Sequence, residues 1–157
     1  MKIVLLITIT FTLLGDLVAN QPCQSYNNNN NADEFVKRHI VKKIFDRTSK
    51  TEWERYIRAN QICATTTQSF LEDQTSVEKI CNGKGHPISN NGDLCISDSH
   101  MRVYELKVKN NCKVTRISDA MKPVIVACNI VGNRCRPVHF ERYINQRPIP
   151  RSRPCRP

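Results

Sequence analysis

The chain has 157 residues, of which eight are cysteine, and its formal net charge at pH 7 is +10. Beyond a leader segment, we expect this length to form one small domain. The charge favours a polyanionic partner such as RNA, DNA, a glycan or an anionic cell surface.

The leader, residues 1–20, has the pattern of a secretory signal peptide. It begins with a basic residue, and its apolar stretch from Ile3 to Leu14 is too short to span a bilayer comfortably. Cleavage after Ala19 and cleavage after Asn20 both fit the pattern. No other long apolar run follows, so we expect a secreted, extracellular protein without a transmembrane segment.

All eight cysteines lie beyond the leader, and an even number in a small exported chain indicates a disulfide framework. They are Cys23, Cys63, Cys81, Cys95, Cys112, Cys128, Cys135 and Cys155. Zinc binding is the competing interpretation, but the chain has no C-x-x-C pair and no His/Cys cluster with the spacing of metal ligands. We therefore predict disulfides, no metal site and no cofactor.

The domain is expected to span residues 32–157, after an asparagine-rich, flexible arm at residues 21–31. A first helix is predicted from Asp33, because acidic residues favour the first turn. Its apolar stripe runs at helical spacing and comprises Phe35, Val36, Ile40, Ile44 and Phe45. His39 lies one turn after Phe35, at the edge of this stripe, where packing can hold its ring.

Two more helices and a loop are predicted next. Ser49 followed by Glu52 resembles a capping box and begins a helix that continues to about Ile62. Residues 65–69 are expected to form a loop. A third, shorter helix is predicted over residues 76–81.

From His100 onward the apolar residues recur with a period of two, which indicates strands. Tyr104, Leu106 and Val108 share one face of the first strand, and Asn110-Asn111 predicts a hairpin turn. Further strands are predicted over residues 112–117, 124–128 and 137–143. Helices followed by strands predict an α+β fold. The basic, proline-rich tail is interpreted as a solvated extension tethered by Cys155.

His139 follows a buried strand, in the sequence Pro137-Val138-His139-Phe140. Together with His39 it offers two imidazoles, one from each end of the domain. The unperturbed pKa of histidine, about 6.5, makes its neutral and charged forms both available near neutrality. Two histidines that fold together can therefore act as the base and the acid of one reaction.

The segment Phe35–Ile40, the strand Val124–Cys128 and the motif Pro137–Phe140, in this order, resemble the pancreatic ribonuclease A superfamily, which includes the angiogenins and the amphibian ribonucleases. The resemblance covers roughly residues 33–143. It implies a V-shaped antiparallel sheet with three helices and disulfides. It also implies cleavage of single-stranded RNA after pyrimidines, by attack of the 2′-hydroxyl group on the adjacent phosphate.

The same resemblance implies roles for five residues. His39 would be the general base and His139 the general acid. Phe140 would direct its backbone amide at the phosphate, and Glu141 stands where the family usually has an aspartate that orients the acid histidine. Arg38 occupies the position of a polar residue that contacts phosphate.

The chain departs from the family at Ala64, which stands where a lysine stabilises the developing negative charge. Loss of one such donor costs about 2.7–4 kcal/mol, so we expect reduced activity. Lys37, Arg38 or Arg58 could replace that cation. One extra residue before Phe70 leaves two alignments open for the asparagine and the base-reading threonine of the family: Gln68 with Ser69, or Thr67 with Gln68.

The resemblance also implies the disulfides Cys63–Cys112 and Cys81–Cys128. A further family bridge is missing, and its two halves fall near the apolar residues Trp53 and Leu106. For the four remaining cysteines we expect the pairs Cys135–Cys155 and Cys23–Cys95.

Two alternatives to a ribonuclease, expected as a monomer, remain open. One is a non-catalytic basic protein for host defence or signalling on the same scaffold. The other is an RNA- or glycan-binding module without hydrolysis. Its surface would comprise Lys42, Lys43, Lys107, Lys109, Lys113 and Arg116.

Overall fold

The structure is a computed structural model that describes residues 22–25, 31–64, 66–89 and 92–157. The predicted signal peptide, its cleavage site and most of the predicted arm lie outside the described residues. Within the described part of the chain, no helix is long and apolar enough to cross a membrane.

The described residues form three α-helices and eight strands, which confirms the predicted α+β fold. The helices are α1 (Asn31–His39), α2 (Lys50–Ala59) and α3 (Gln74–Ile80). The strands are β1 (Gln24–Ser25), β2 (Thr67–Phe70), β3 (Gly85–Pro87), β4 (Leu94–Ser97), β5 (Met101–Lys109), β6 (Lys113–Lys122), β7 (Ile125–Val131) and β8 (Arg134–Glu141). A 3-10 turn over Asn110–Cys112 joins β5 to β6.

The strands make two sheets. One has the order β1-β7-β4-β3, with β8 also paired to β7, and the other has the order β2-β5-β6. Every pairing is antiparallel except the short parallel contact of β1 with β7. The long hairpins β5–β6 and β7–β8 follow from the alternating apolar residues in the second half of the chain.

The core consists of two apolar clusters. One packs α1 and α3 against the larger sheet, and the other packs α2 against the smaller sheet. Trp53 and Leu106 are both completely buried in the second cluster. These two apolar residues therefore fill the region in which the resemblance implied a missing disulfide.

Helix α1 is shorter than its apolar stripe predicted. It ends at His39, because the backbone N–H of Leu71 donates to the carbonyl oxygen of His39 and Val41 N–H donates to the carbonyl oxygen of Leu71. After His39 the chain therefore leaves the helix, and Ile40 lies alongside Leu71, which directly follows β2. Ile44, expected on the buried stripe, is 96% exposed.

Helix α2 begins as predicted, because the hydroxyl oxygen of Ser49 accepts a hydrogen bond from the backbone N–H of Glu52. Helix α3 is capped in the same way by Asp73. The predicted loop over residues 65–69 is wrong in its second half, where β2 begins at Thr67. The sequence pattern did not predict this strand, because three of its four side chains are polar. Its backbone pairs with β5.

Four disulfides bond all eight cysteines. Cys63–Cys112 and Cys81–Cys128 form as the resemblance implied. The other two expected pairs are wrong, because the structure forms Cys23–Cys135 and Cys95–Cys155. Strand β1 lies beside β7 and brings Cys23 to the neighbouring β8, while the tail returns to β3, where Cys155 N–H donates to the carbonyl oxygen of Gly85.

Candidate active site

His39 is the last residue of α1, and the surrounding packing holds its ring in one orientation. Its Nδ1 atom lies 2.9 Å from the carbonyl oxygen of Ser69 on β2. The ring stacks on Phe140 of β8 with a centroid separation of 5.3 Å, and the Phe35 ring lies 5.2 Å away. A helix, a strand from each sheet and two aromatic rings therefore position this imidazole.

The contact with Ser69 determines which nitrogen of the neutral His39 ring carries the proton. A carbonyl oxygen can only accept, so the Nδ1–H group of His39 donates to it. The neutral ring then has its lone pair on Nε2. A neutral histidine held in this tautomer can accept a proton at Nε2.

The pKa of His39 is lowered from its usual value of 6.5. Burial is the main cause, because it disfavours the charged ring. The hydrogen bond to Ser69 opposes this effect, and the positive charges of His139 and Arg38 add to it. The environment therefore favours the neutral form of His39.

His139 lies on β8 opposite Ala127 of β7, next to the residue that stacks on His39. Its side chain is 65% exposed, and its Nε2 atom is 3.6 Å from a carboxylate oxygen of Glu141. The chain therefore brings one enclosed and one exposed imidazole to the same region.

A cleft with a volume of 570 Å³ opens beside His39. Of the residues predicted from sequence, it is lined by His39, Arg38, Gln68, Ser69 and Phe140, whereas His139 and Glu141 are not among its described lining residues. Those two occupy the positions on either side of Phe140 along β8. The cleft thus gathers five of the seven predicted residues and borders the strand that carries the other two.

Ala64 also lines this cleft, so no side-chain cation comes from that position. Lys37, Arg38 and Arg142 are the cationic residues among its described lining. Arg38 is ion-paired with Glu34 at 3.3 Å. Arg58, the third sequence candidate, instead donates to the carbonyl oxygen of Asn111 and is not part of the described cleft lining.

Arg142 was missed by the sequence reasoning. Its guanidinium has no hydrogen bond or ion pair with any residue in the described part of the chain, so it is available to a ligand in the cleft. The signal for it was its place in the predicted last strand, residues 137–143, two positions after Phe140.

The polar residues of β2 face the cleft in a defined register. Gln68 donates through Nε2 to the carbonyl oxygen of Ile62, while its Oε1 atom is buried without a hydrogen-bond partner in the described residues. Ser69 pairs with Glu105 of β5, which also lines the cleft and is ion-paired with Lys122. Donors and acceptors for a polar ligand therefore surround His39.

The sulfur atoms of Cys81, Cys128 and Cys135 lie within 4.8 Å of one another. All three sulfurs are in disulfides, which removes the thiolates that a metal would need. This cluster is therefore not a metal centre.

These features define the protein as an α+β, disulfide-bonded domain of the ribonuclease A-like fold. Among solved structures, the chain is similar to green turtle egg white ribonuclease, with a TM-score of 0.58 and 19% sequence identity over 73% of this chain and 98% of the turtle chain. No protein-family model and no curated protein sequence matches the chain. At this identity the similarity establishes the fold.

Proposed function

We propose that the protein is a secreted endoribonuclease of reduced activity, which cleaves single-stranded RNA after pyrimidines. The observation that carries the proposal is the hydrogen bond from His39 Nδ1 to Ser69, because it leaves Nε2 as the proton-accepting nitrogen beside an open polar cleft. The disulfide framework and the ribonuclease-like fold support secretion and an RNA substrate.

In the proposed reaction, His39 Nε2 takes the proton of a ribose 2′-hydroxyl group. The 2′-oxygen then forms a bond to the adjacent phosphorus atom, and the bond from phosphorus to the 5′-oxygen breaks. Protonated His139 gives its proton to that departing oxygen. The products are a 2′,3′-cyclic phosphate and a free 5′-hydroxyl group, with one proton accepted and one donated.

The phosphate would be held by the backbone amide of Phe140 and by arginine. We assign the main cationic contact to Arg142 over Arg38, because Arg38 is already paired with Glu34; Lys37 also lines the cleft. Arg142 is not aligned by any described partner, so its stabilisation of the transition state would be weaker than that of a preorganised cation. This difference is the physical basis for the proposed reduced activity.

For recognition of the base we propose Ser69 with Gln68, the first of the two alignments that the sequence allowed. Ser69 is the residue that contacts His39, which supports this choice over Thr67. Gln68 precedes Ser69 on β2 and also lines the cleft. A pyrimidine edge presents the donors and acceptors that such groups require.

The test is cleavage of a short oligoribonucleotide with a single pyrimidine by the pure, disulfide-bonded protein. His39→Ala and His139→Ala should each abolish most of the cleavage, and the double variant should lose little more, because residues of one catalytic unit are not additive. The matched control is the exposed His100, whose replacement by alanine should leave the rate unchanged. Cleavage that survives His139→Ala would refute the assignment.

The second candidate is a non-catalytic basic host-defence protein. It is favoured by the alanine at position 64 within the cleft. Bacterial killing that is unchanged in the variant carrying both His39→Ala and His139→Ala would support it. Killing that disappears together with ribonuclease activity would support the enzyme instead.

A further inference from the structure

The closed end of the β5–β6 hairpin carries two pairs of like charges directly across from each other. Lys107 is opposite Arg116, and Lys109 is opposite Lys113. All four side chains are exposed. We call these four residues the hairpin-tip patch.

None of the four has an acidic partner within the described part of the chain. The acids of the same hairpin are paired with other cations: Asp119 with Arg102 towards its open end, and Glu105, two positions before Lys107, with Lys122. Charge is therefore neutralised at the open end of this hairpin and left uncompensated at its tip.

Helix α2 packs against the hairpin and adds one cation and one acid near the tip. Arg58 donates to the carbonyl oxygen of Asn111 in the turn. Glu54 accepts a hydrogen bond from the backbone N–H of Val114 at 2.9 Å, so one of its oxygens is engaged by the strand. The surroundings leave a clear excess of positive charge.

Like charges directly opposite each other destabilise an antiparallel pair. Two such pairs in sequence therefore raise the free energy of the unbound protein. A polyanion that lies across the tip neutralises both pairs together and gains from the relief of their repulsion. The arrangement favours an extended ligand with several negative charges over a single small anion.

The patch has charge without the aromatic side chains that also bind single-stranded nucleic acids and without the apolar side chains that insert into membranes. Single-stranded nucleic acids bind aromatic side chains on which their bases stack, and no Phe, Tyr or Trp residue is exposed in the described part of the chain. The exposed large apolar residues are Ile44, Met121 and Ile144, none of which belongs to the tip. The hairpin-tip patch therefore has no large apolar side chain that could insert into a lipid surface.

We propose that the hairpin-tip patch binds a sulfated polysaccharide. The sulfate groups would contact Lys107, Lys109, Lys113 and Arg116, with Arg58 at the margin. None of these five residues lines the cleft beside His39. Lys107 is opposite Thr67, which does line the cleft, so the patch adjoins the cleft, but its binding does not use the residues proposed for RNA cleavage.

The experiment measures binding of the purified disulfide-bonded protein to immobilised heparin at several salt concentrations. One variant replaces all four residues of the patch with glutamine. The control variant replaces four exposed tail arginines, Arg147, Arg151, Arg153 and Arg156, with glutamine, so both lose the same charge. The patch variant should bind about tenfold more weakly or worse, and its affinity should depend less on salt than that of the control.

Equal weakening in the two variants would overturn the proposal, because the net charge alone would then explain binding. A single-stranded DNA oligonucleotide that displaces heparin from the patch as well as a sulfated oligosaccharide does would also overturn it, in favour of a nucleic-acid surface. Thermal unfolding provides a second measurement. The patch variant should melt at a higher temperature than the unmodified protein, because its two repulsive pairs are gone.

Discussion

His39 and Ser69 are 30 positions apart, yet one hydrogen bond of 2.9 Å joins the ring of the first to the backbone of the second. The backbone of His39 is held at the same junction, since its carbonyl oxygen accepts from Leu71 N–H at 2.7 Å. Helix α1 and strand β2 are therefore tied at the residue that the proposed reaction needs as its base. The position of the imidazole depends on the packing of two elements and not on a loop.

Restoring a lysine at position 64 should increase ribonuclease activity. Ala64 lines the cleft, and a cation there would stabilise the negative charge that develops on the phosphate. We expect Ala64→Lys to raise kcat by about tenfold or more, up to about 100–1,000-fold, as for a preorganised donor. The measurement is steady-state cleavage of a dinucleotide substrate.

The control for that gain is Ala59→Lys, which adds the same charge at an exposed position at the end of α2. It should leave kcat unchanged. Equal gains in both variants would mean that general attraction of RNA, and not stabilisation within the cleft, limits the unmodified protein.

Arg142 should matter more to cleavage than Arg38. Arg142 has no described side-chain partner, whereas Arg38 shares its charge with Glu34. Arg142→Ala should lower kcat/KM by about tenfold or more, and Arg38→Ala by less. Steady-state kinetics on one substrate compares the two directly, and a larger loss with Arg38→Ala would reverse the assignment.

The pKa of His39 should lie below 6.5 in the folded protein, because burial disfavours its charged form. As a general base it must be neutral, so the ascending limb of kcat/KM against pH should fall below that value. Proton NMR of the imidazole signals would test this. Titration of His39 at or above 6.5 would contradict the prediction.

This lowered pKa also affects stability. The unfolded chain binds the proton of His39 more readily than the folded protein does, so stability contributed by neutral His39 should be lost as the pH falls below 6.5. His39→Gln should flatten the dependence of the unfolding free energy on pH in that interval. Urea unfolding at a series of pH values measures the effect.

Glu141 should contribute only modestly to catalysis. Its carboxylate is 3.6 Å from His139 Nε2, and the His139 side chain is 65% exposed, so water competes for the interaction. We expect Glu141→Gln to lower kcat by about fivefold at most. A loss comparable to that of His139→Ala would show that this carboxylate orients the acid far more strongly than the separation indicates.

The disulfide from Cys95 to Cys155 should anchor the basic tail and stabilise the whole domain. It closes a separation of 60 residues, and replacing both cysteines with alanine should lower the free energy of unfolding by about 2–4 kcal/mol. Urea unfolding measures that loss. Peptide mapping without reduction checks the pairing, and a fragment joining Cys135 to Cys155 would contradict it.

Much of the fold could be predicted, because it depends on interactions between residues that are close together in the sequence. The cap of α2 at Ser49 and the buried face of β5 each depend on residues a few positions apart, and periodicity reveals them. Both histidines were also recognisable, since each stands in a short motif. Their roles as base and acid remain predictions that the kinetic experiments must decide.

Other features were decided by contacts between distant parts of the chain. The end of α1 at His39 depends on Leu71, and β2 depends on its pairing with β5, neither of which a local pattern reveals. The disulfide partners of Cys23 and of Cys155 depend on where β1 and the tail lie in the fold. The sequence by itself determined the three helices, the long strands and which side chains could carry chemistry. Only the tertiary structure decided which of them meet, because a disulfide or a cleft depends on distances that chain separation does not specify.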